Sequence, residues 1–243
     1  GQIGAMNLAG PNSRKILEQL CDIDLSTESF PYLAMRQGKM LGLDVTLIRV
    51  GFVGELGYEI HTDSQSALTI WKALMSAGQA YGIKPFGVEA QRLLRLEKGH
   101  IIVGQDTDGL TNPFEANMPW AVHFKKPYFL GKPSLVRLKE TKMRTLVGFE
   151  LLSDNPNDQP LESNLVIEAD EMIGRVTSIG RSATLKKVIG LAMISTDYSM
   201  ANNVLSIKLT DGRFVKAKVV KTPFYDPEGL MQKPDETAEG DAA

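Results

Sequence analysis

From Thr145 onward the chain breaks into short apolar or alternating runs at near-regular spacing: Thr145–Leu152, Asn164–Glu168, Met172–Ile179, Lys187–Ile194, Val204–Leu209 and Phe214–Val220. Short strands separated by turn residues have few ways to bury their apolar sides. A small closed barrel or a sandwich is therefore expected.

Upstream the texture is mixed. Gln2–Leu8 reads as a strand, and Ala9-Gly10-Pro11-Asn12-Ser13 then supplies a turn and a helix start, with Pro tolerated in the first turn because its missing N–H would be unpaired there. That helix is expected to run to about Leu20, with Ile16, Leu17 and Leu20 on one face. Val45–Val50 and Gly57–His61 read as two further strands. Thr62 or Asp63 is placed to cap the next helix, where Ala67, Leu68, Trp71, Leu74 and Met75 form an amphipathic stripe. A third helix is expected over Gly87–Lys98, followed by a turn-rich stretch, Gly104–Pro113, and a junction at Lys125–Thr141. The fold class is α+β, with an α+β region over 1–140, a β-barrel over 141–230 and a tail over 231–243. The last ten residues, from Pro234, hold no aromatic or branched aliphatic side chain and are expected to be disordered. An opening inside a strand, with no initiator Met and no leader, points to a piece of a longer protein lacking the N-terminal part of its fold.

Charge and composition narrow the function classes. With 27 Lys+Arg against 29 Asp+Glu, the formal charge of −2 speaks against a generally basic nucleic-acid binder and against attraction to anionic membranes. The longest apolar run, Val188–Ile194, is far too short to span a bilayer. The one cysteine, Cys21, allows no intrachain disulfide and no cysteine cluster for a metal, which fits a reducing, cytoplasmic setting.

The densest segment is Gly51-Phe52-Val53-Gly54-Glu55-Leu56-Gly57-Tyr58-Glu59-Ile60. Glycines at spacing three permit tight turning and close backbone approach. They precede a strand, whereas a dinucleotide-binding motif needs a strand before and a helix after. Glu55 and Glu59 are either a solvated pair or, for one of them, a bidentate acceptor for adjacent N–H donors of a ligand. On the third helix, Glu89 with Arg92 and Gln91 with Arg95 stand at pairing distance, which an exposed helix face also explains. His61, His100 and His123 are scattered and show no ligand spacing. Asp106 and Asp108 suit an Asx-supported turn better than a calcium loop, since the later glutamate is missing. No His/Asp pattern supports Cys21 or a serine as nucleophile. No catalytic residue and no metal ligand is assigned.

These segments resemble the glycine-cleavage T-protein (aminomethyltransferase) superfamily, through nearly the whole chain to about Gly229. The matching motifs include Leu8-Ala9-Gly10-Pro11-Asn12-Ser13, Arg49–Glu59, Arg95-Leu96-Glu97-Lys98-Gly99 and Pro223–Gly229. Lys98–Gly109 is closer to the C-terminal folate-binding region of the sarcosine oxidase alpha subunit. The resemblance implies a tetrahydrofolate pocket in which Glu59 binds the pterin, Phe52 and Tyr58 wall it, and Gln91 or Arg95 holds the far end of the folate. Phe52 replaces the family's Tyr, and Gln91 falls where the family has a folate-contacting arginine. The family's catalytic aspartate lies upstream of the opening Gly-Pro turn, outside this sequence. The implied chemistry is transfer of a one-carbon unit from an oxidised N-methyl amino acid, an iminium of sarcosine type, to tetrahydrofolate. Any FAD would belong to a separate domain or flavoprotein subunit. A true glycine-cleavage T-protein and a non-catalytic binding or assembly module of the same fold are the alternatives.

Overall fold

The structure, a computed structural model, describes residues 1–233. The expected disordered stretch from Pro234 lies outside the described residues. Two compact units are present: Gly1–Gln91 joined by the segment beginning at Glu228, and Arg92–Pro227.

In the first unit, β1 (Ile3–Ala9), β2 (Met35–Met40), β3 (Leu43–Arg49) and β4 (Gly57–Asp63) form an antiparallel sheet in the order β1-β4-β3-β2. Side chains alternate across a strand, so each strand divides its residues between two faces. Leu8, Val45, Leu47, Tyr58 and Ile60 point to one face and pack against Ile16 and Leu17 of α1 (Ser13–Leu17) and Ile70 and Leu74 of α2 (Ala67–Gly78). Two details depart from the sequence reading. The helix expected to reach Leu20 ends at Leu17, because the chain turns to let Cys21 bridge Met40 at the sheet edge. The α2 helix starts after Ser66, and no side chain caps it.

In the second unit six strands close into a barrel: β5 (Arg144–Leu151), β6 (Leu165–Glu168), β7 (Glu171–Arg181), β8 (Val188–Ser195), β9 (Val204–Lys208) and β10 (Phe214–Val220), in the order β10-β5-β8-β7-β6-β9. The apolar run that marks β8 follows from burial on both sides. Val188, Ala192 and Ile194 face the barrel interior, while Ile189, Leu191 and Met193 pack outward against Leu96 and Leu146. Most of α3 (Val88–Glu97) and all of α4 (Lys132–Glu140) precede the barrel. The compact units divide near residue 91, while the sequence reading's boundary near 140 lies just before the first barrel strand at Arg144. Residues 92–143 join the barrel because their buried polar side chains are anchored to its strands, as described below.

Candidate functional site

The glycine-rich turn between β3 and β4 is held by its own backbone and by its neighbours. Gly54 has a φ of +85°, a conformation that side-chain-bearing residues rarely adopt. At Gly57 a Cβ would stand 2.8 Å from the carbonyl oxygen of Val50, so nothing larger fits. The turn leaves main-chain groups needing partners. The Leu56 N–H donates to the Met231 carbonyl at 2.9 Å, and its carbonyl accepts from the Gly10 N–H at 2.8 Å and the Ser13 hydroxyl at 3.1 Å. The Gln232 amide donates to the Gly51 carbonyl at 3.1 Å. Residues 231–233, which the sequence reading assigned to the tail, are thereby part of the first unit's architecture.

This brace fixes the entry into β4 and hence the direction of Glu59. Glu59 lies opposite Asn7 on β1 and Ile48 on β3. With Asn7, Thr46, Ile48 and His61 it occupies the sheet face away from the helices, and all five are half-buried. Glu59 Oε2 stands 3.1 Å from His61 Nε2. An ionised carboxylate has about four acceptor positions, so one histidine leaves capacity for further donors. A shallow depression of about 630 Å³ on the same unit is lined by His61, Thr46 and Gln37 among others.

The other residues named from the sequence are dispersed. Tyr58, adjacent to Glu59 in a strand, faces the opposite way. It is fully buried against Phe30, with ring centroids 5.8 Å apart, and its hydroxyl accepts from Arg14 Nε at 3.3 Å. It is a core residue and not a wall of the open face. Phe52 sits half-buried in the turn. Gln91 lines a cavity of about 530 Å³ together with residues of β1, α2 and the segment from Tyr81 to Val88.

Arg95 belongs to the second unit and is 1% exposed. Its guanidinium donates to Asp106 at 2.7 Å, the His100 carbonyl at 2.8 Å and the Ser178 hydroxyl at 2.7 Å. Asp106 also accepts from Thr177 and Ser178, at 2.7 and 2.5 Å. Two consecutive strand residues reach one carboxylate because the β7 ladder shifts register between Val176 and Ser178, a bulge that re-aims side chains. Arg95 is thus a buried strut whose two terminal nitrogens are engaged by the protein itself, while its buried Nε has no hydrogen-bond partner among the described residues. Next to this node, Arg144 grips Asp108 through two parallel bonds of 3.0 Å and Glu115 through Nε at 3.1 Å. These bonds hold the Asp108 carboxyl far below, and the Arg144 guanidinium above, their ordinary ranges. Asp108 also accepts from the Leu110 N–H at 2.9 Å, which is the Asx turn expected there.

The sequence reading missed the partnership of Glu59 with His61. Spacing of two in a strand was the available signal, since it places both on one face. Burial pushes the Cys21 thiol up, which keeps it protonated and unsuited to attack. Among the described residues no group of His, Cys, Asp and Glu is arranged to hold a metal ion. Nor is any helix among them long and apolar enough to cross a membrane.

Comparison with known proteins adds an independent observation. Residues 1–126 match the family model described as the GCVT N-terminal domain, and residues 144–226 match the glycine cleavage T-protein C-terminal barrel domain. A protein of Halothermothrix orenii named aminomethyltransferase is 37% identical over 220 residues, covering 89% of this chain and 59% of its own length. The Bacillus subtilis protein of the same name is 36% identical, covering 92% and 61%. The crystal structure of glycine cleavage system aminomethyltransferase T from Bartonella henselae superimposes with a TM-score of 0.80 over 93% of this chain and 60% of that one, at 22% identity, which speaks for a shared fold. The chain spans about 60% of the length of these relatives.

Proposed function

Since the chain belongs to the glycine cleavage T-protein (aminomethyltransferase) family, we propose that it carries the pterin-holding part of a folate-dependent aminomethyltransferase, with Glu59 as the anchor. The carrying observation is a half-exposed carboxylate on an open sheet face, aimed by a turn that is braced by Gly10 and Ser13 on one segment and by Met231 and Gln232 on another. A pterin presents a 2-amino group and a ring N–H side by side, and an acceptor-only carboxylate with spare lone pairs suits that pair. The residues present fit the group.

Tetrahydrofolate, when bound, supplies the nitrogen nucleophile that receives the one-carbon unit. The chain's own part is binding and orientation. His61, 3.1 Å from one carboxylate oxygen, fixes the rotamer of Glu59 and leaves the other oxygen for the ligand. Ile48 and Asn7, opposite Glu59 on the flanking strands, offer an apolar surface on one side and an amide on the other. Phe52, in the turn, is the aromatic residue proposed to pack near the pterin, and Gln91 remains a proposed contact for the distal part of the folate. Positioning of this sort raises the effective concentration of one reactant beside the other.

The sequence reading favoured a sarcosine-oxidase-type donor and flavoprotein partners. The two relatives described above are named aminomethyltransferase, residues 144–226 match the glycine cleavage T-protein C-terminal barrel domain, and the proposal follows them. The one-carbon donor is then an aminomethyl group of the glycine cleavage reaction. Titration calorimetry of the chain with a stable reduced folate, alongside Glu59→Gln, tests this reading. The substitution keeps the shape and removes the charge-assisted acceptor, and is expected to weaken binding roughly tenfold to a hundredfold. Equal affinity in the two proteins removes Glu59 from the site.

A further inference from the structure

Asn7 stands beside the proposed anchor, and we infer that its side-chain amide reads the 4-oxo group of the pterin and so fixes the direction in which the ring lies. The inference rests on the reading of Glu59 as that anchor. In the pairing of β1 with β4, Asn7 lies directly opposite Glu59, and in the pairing of β3 with β4, Ile48 does. The three side chains form one row on the sheet face away from the helices, since Leu8, Tyr58 and Leu47, their neighbours along the strands, belong to the core. Side chains directly opposite in an antiparallel pair have Cβ atoms about 4.5–5.5 Å apart, so Asn7 and Glu59 can reach one small ring together. On the same face Glu59 is held by His61 at 3.1 Å and Asp44 by Lys39 at 2.8 Å. Asn7 is half-buried, and among the described residues its side chain makes no hydrogen bond. Both its N–H donors are thus open to a ligand.

The chemistry of the row matches the edge of a pterin in order. That edge carries an amino group, a ring N–H and a carbonyl side by side, which is donor, donor, acceptor. An ionised carboxylate accepts from the two donors and has nothing to give the carbonyl, so the group beside it must donate. On the β3 side Ile48 offers only carbon. A carbonyl pressed against it would lose its hydrogen bond to water without replacement. On the β1 side Asn7 offers Nδ2. The ring therefore lies with its carbonyl toward β1 and its amino group away from it.

The test titrates the full chain with a stable reduced folate and follows the Asn7 side-chain amide by NMR, its pair of N–H signals being the pair missing in Asn7→Asp. Saturable movement of this pair, with the midpoint that calorimetry gives for the same folate, is the expected result. Asn7→Leu removes the donor at similar size and is expected to weaken binding roughly threefold to tenfold. Asn7→Asp keeps the shape but sets an acceptor against the carbonyl, and is expected to weaken binding further. Both variants are checked to melt like the parent, and the amide signal of the parent decides the matter where one does not. If folate binds and Glu59→Gln weakens it while the Asn7 amide stays unmoved, the inference is overturned and the anchor stands. The same holds if both Asn7 variants melt like the parent and bind folate equally well. Folate that fails to bind the parent saturably overturns the anchor and the inference with it.

Discussion

Asp106 is wholly buried and neutralises an equally buried guanidinium, with side-chain exposures of 0% and 2% for Asp106 and Arg95. Removing one partner of such a pair strands the other charge in a poor solvent. Asp106→Asn is therefore expected to destabilise the Arg92–Pro227 unit by about 3–5 kcal/mol, read as a lowered urea midpoint. A midpoint within error of the parent would mean that Arg95 finds another acceptor. Asp108 makes a different prediction because its pair with Arg144 is about one-third exposed. Its folded carboxyl titrates lower than the unfolded one. The stabilisation is thus complete above the ordinary carboxylate range and is lost as pH falls through it toward the folded value. Solvent screening holds the gain to about 1 kcal/mol or less. Asp108→Asn is expected to cost this amount at neutral pH and nothing in strong acid, so its stability difference from the parent should shrink on acidification. A difference independent of pH would rule out the ion pair as its source.

Among the elements, the turn between β3 and β4 does most to place the candidate site. Gly57→Ala forces a Cβ against the Val50 carbonyl, where only backbone can yield. A loss of about 1–3 kcal/mol is expected, accompanied by weaker folate binding, because the entry of β4 carries Glu59. Denaturant unfolding and calorimetry read the two effects separately. A destabilised variant with unchanged folate affinity would uncouple the turn from the site. The elements also show what the sequence made legible. The barrel strands alternate or run apolar, and their limits match the reading to within a few residues, because burial on one or both sides writes itself into side-chain type. The β2 strand, Met-Arg-Gln-Gly-Lys-Met, carries no such mark. It is a sheet edge whose residues are mostly exposed, so polar side chains are tolerated there. In the sequence the α4 helix reads as a junction for a related reason. Its Pro133 is tolerated in the first turn, and none of its nine residues is buried. The motif singles out Glu59 as a candidate, whereas the inward turn of Tyr58 and the burial of Arg95 depend on contacts remote in sequence.

For the molecule as a whole, a family resemblance spread along nearly the entire chain coexists with a length of about 60% of its relatives. Aminomethyl transfer is accordingly proposed for a polypeptide of the relatives' full length, and folate binding at the Glu59 face for this chain. The most direct test of that claim observes the face itself. The chain contains three histidines, so its imidazole NMR spectrum is simple enough to assign, and His61 reports on Glu59 from 3.1 Å. Titration with a stable reduced folate is expected to move the His61 signal saturably, with the movement lost in Glu59→Gln. A saturable response at His100 or His123 with His61 unmoved, or an equal response of His61 in the variant, would contradict the account.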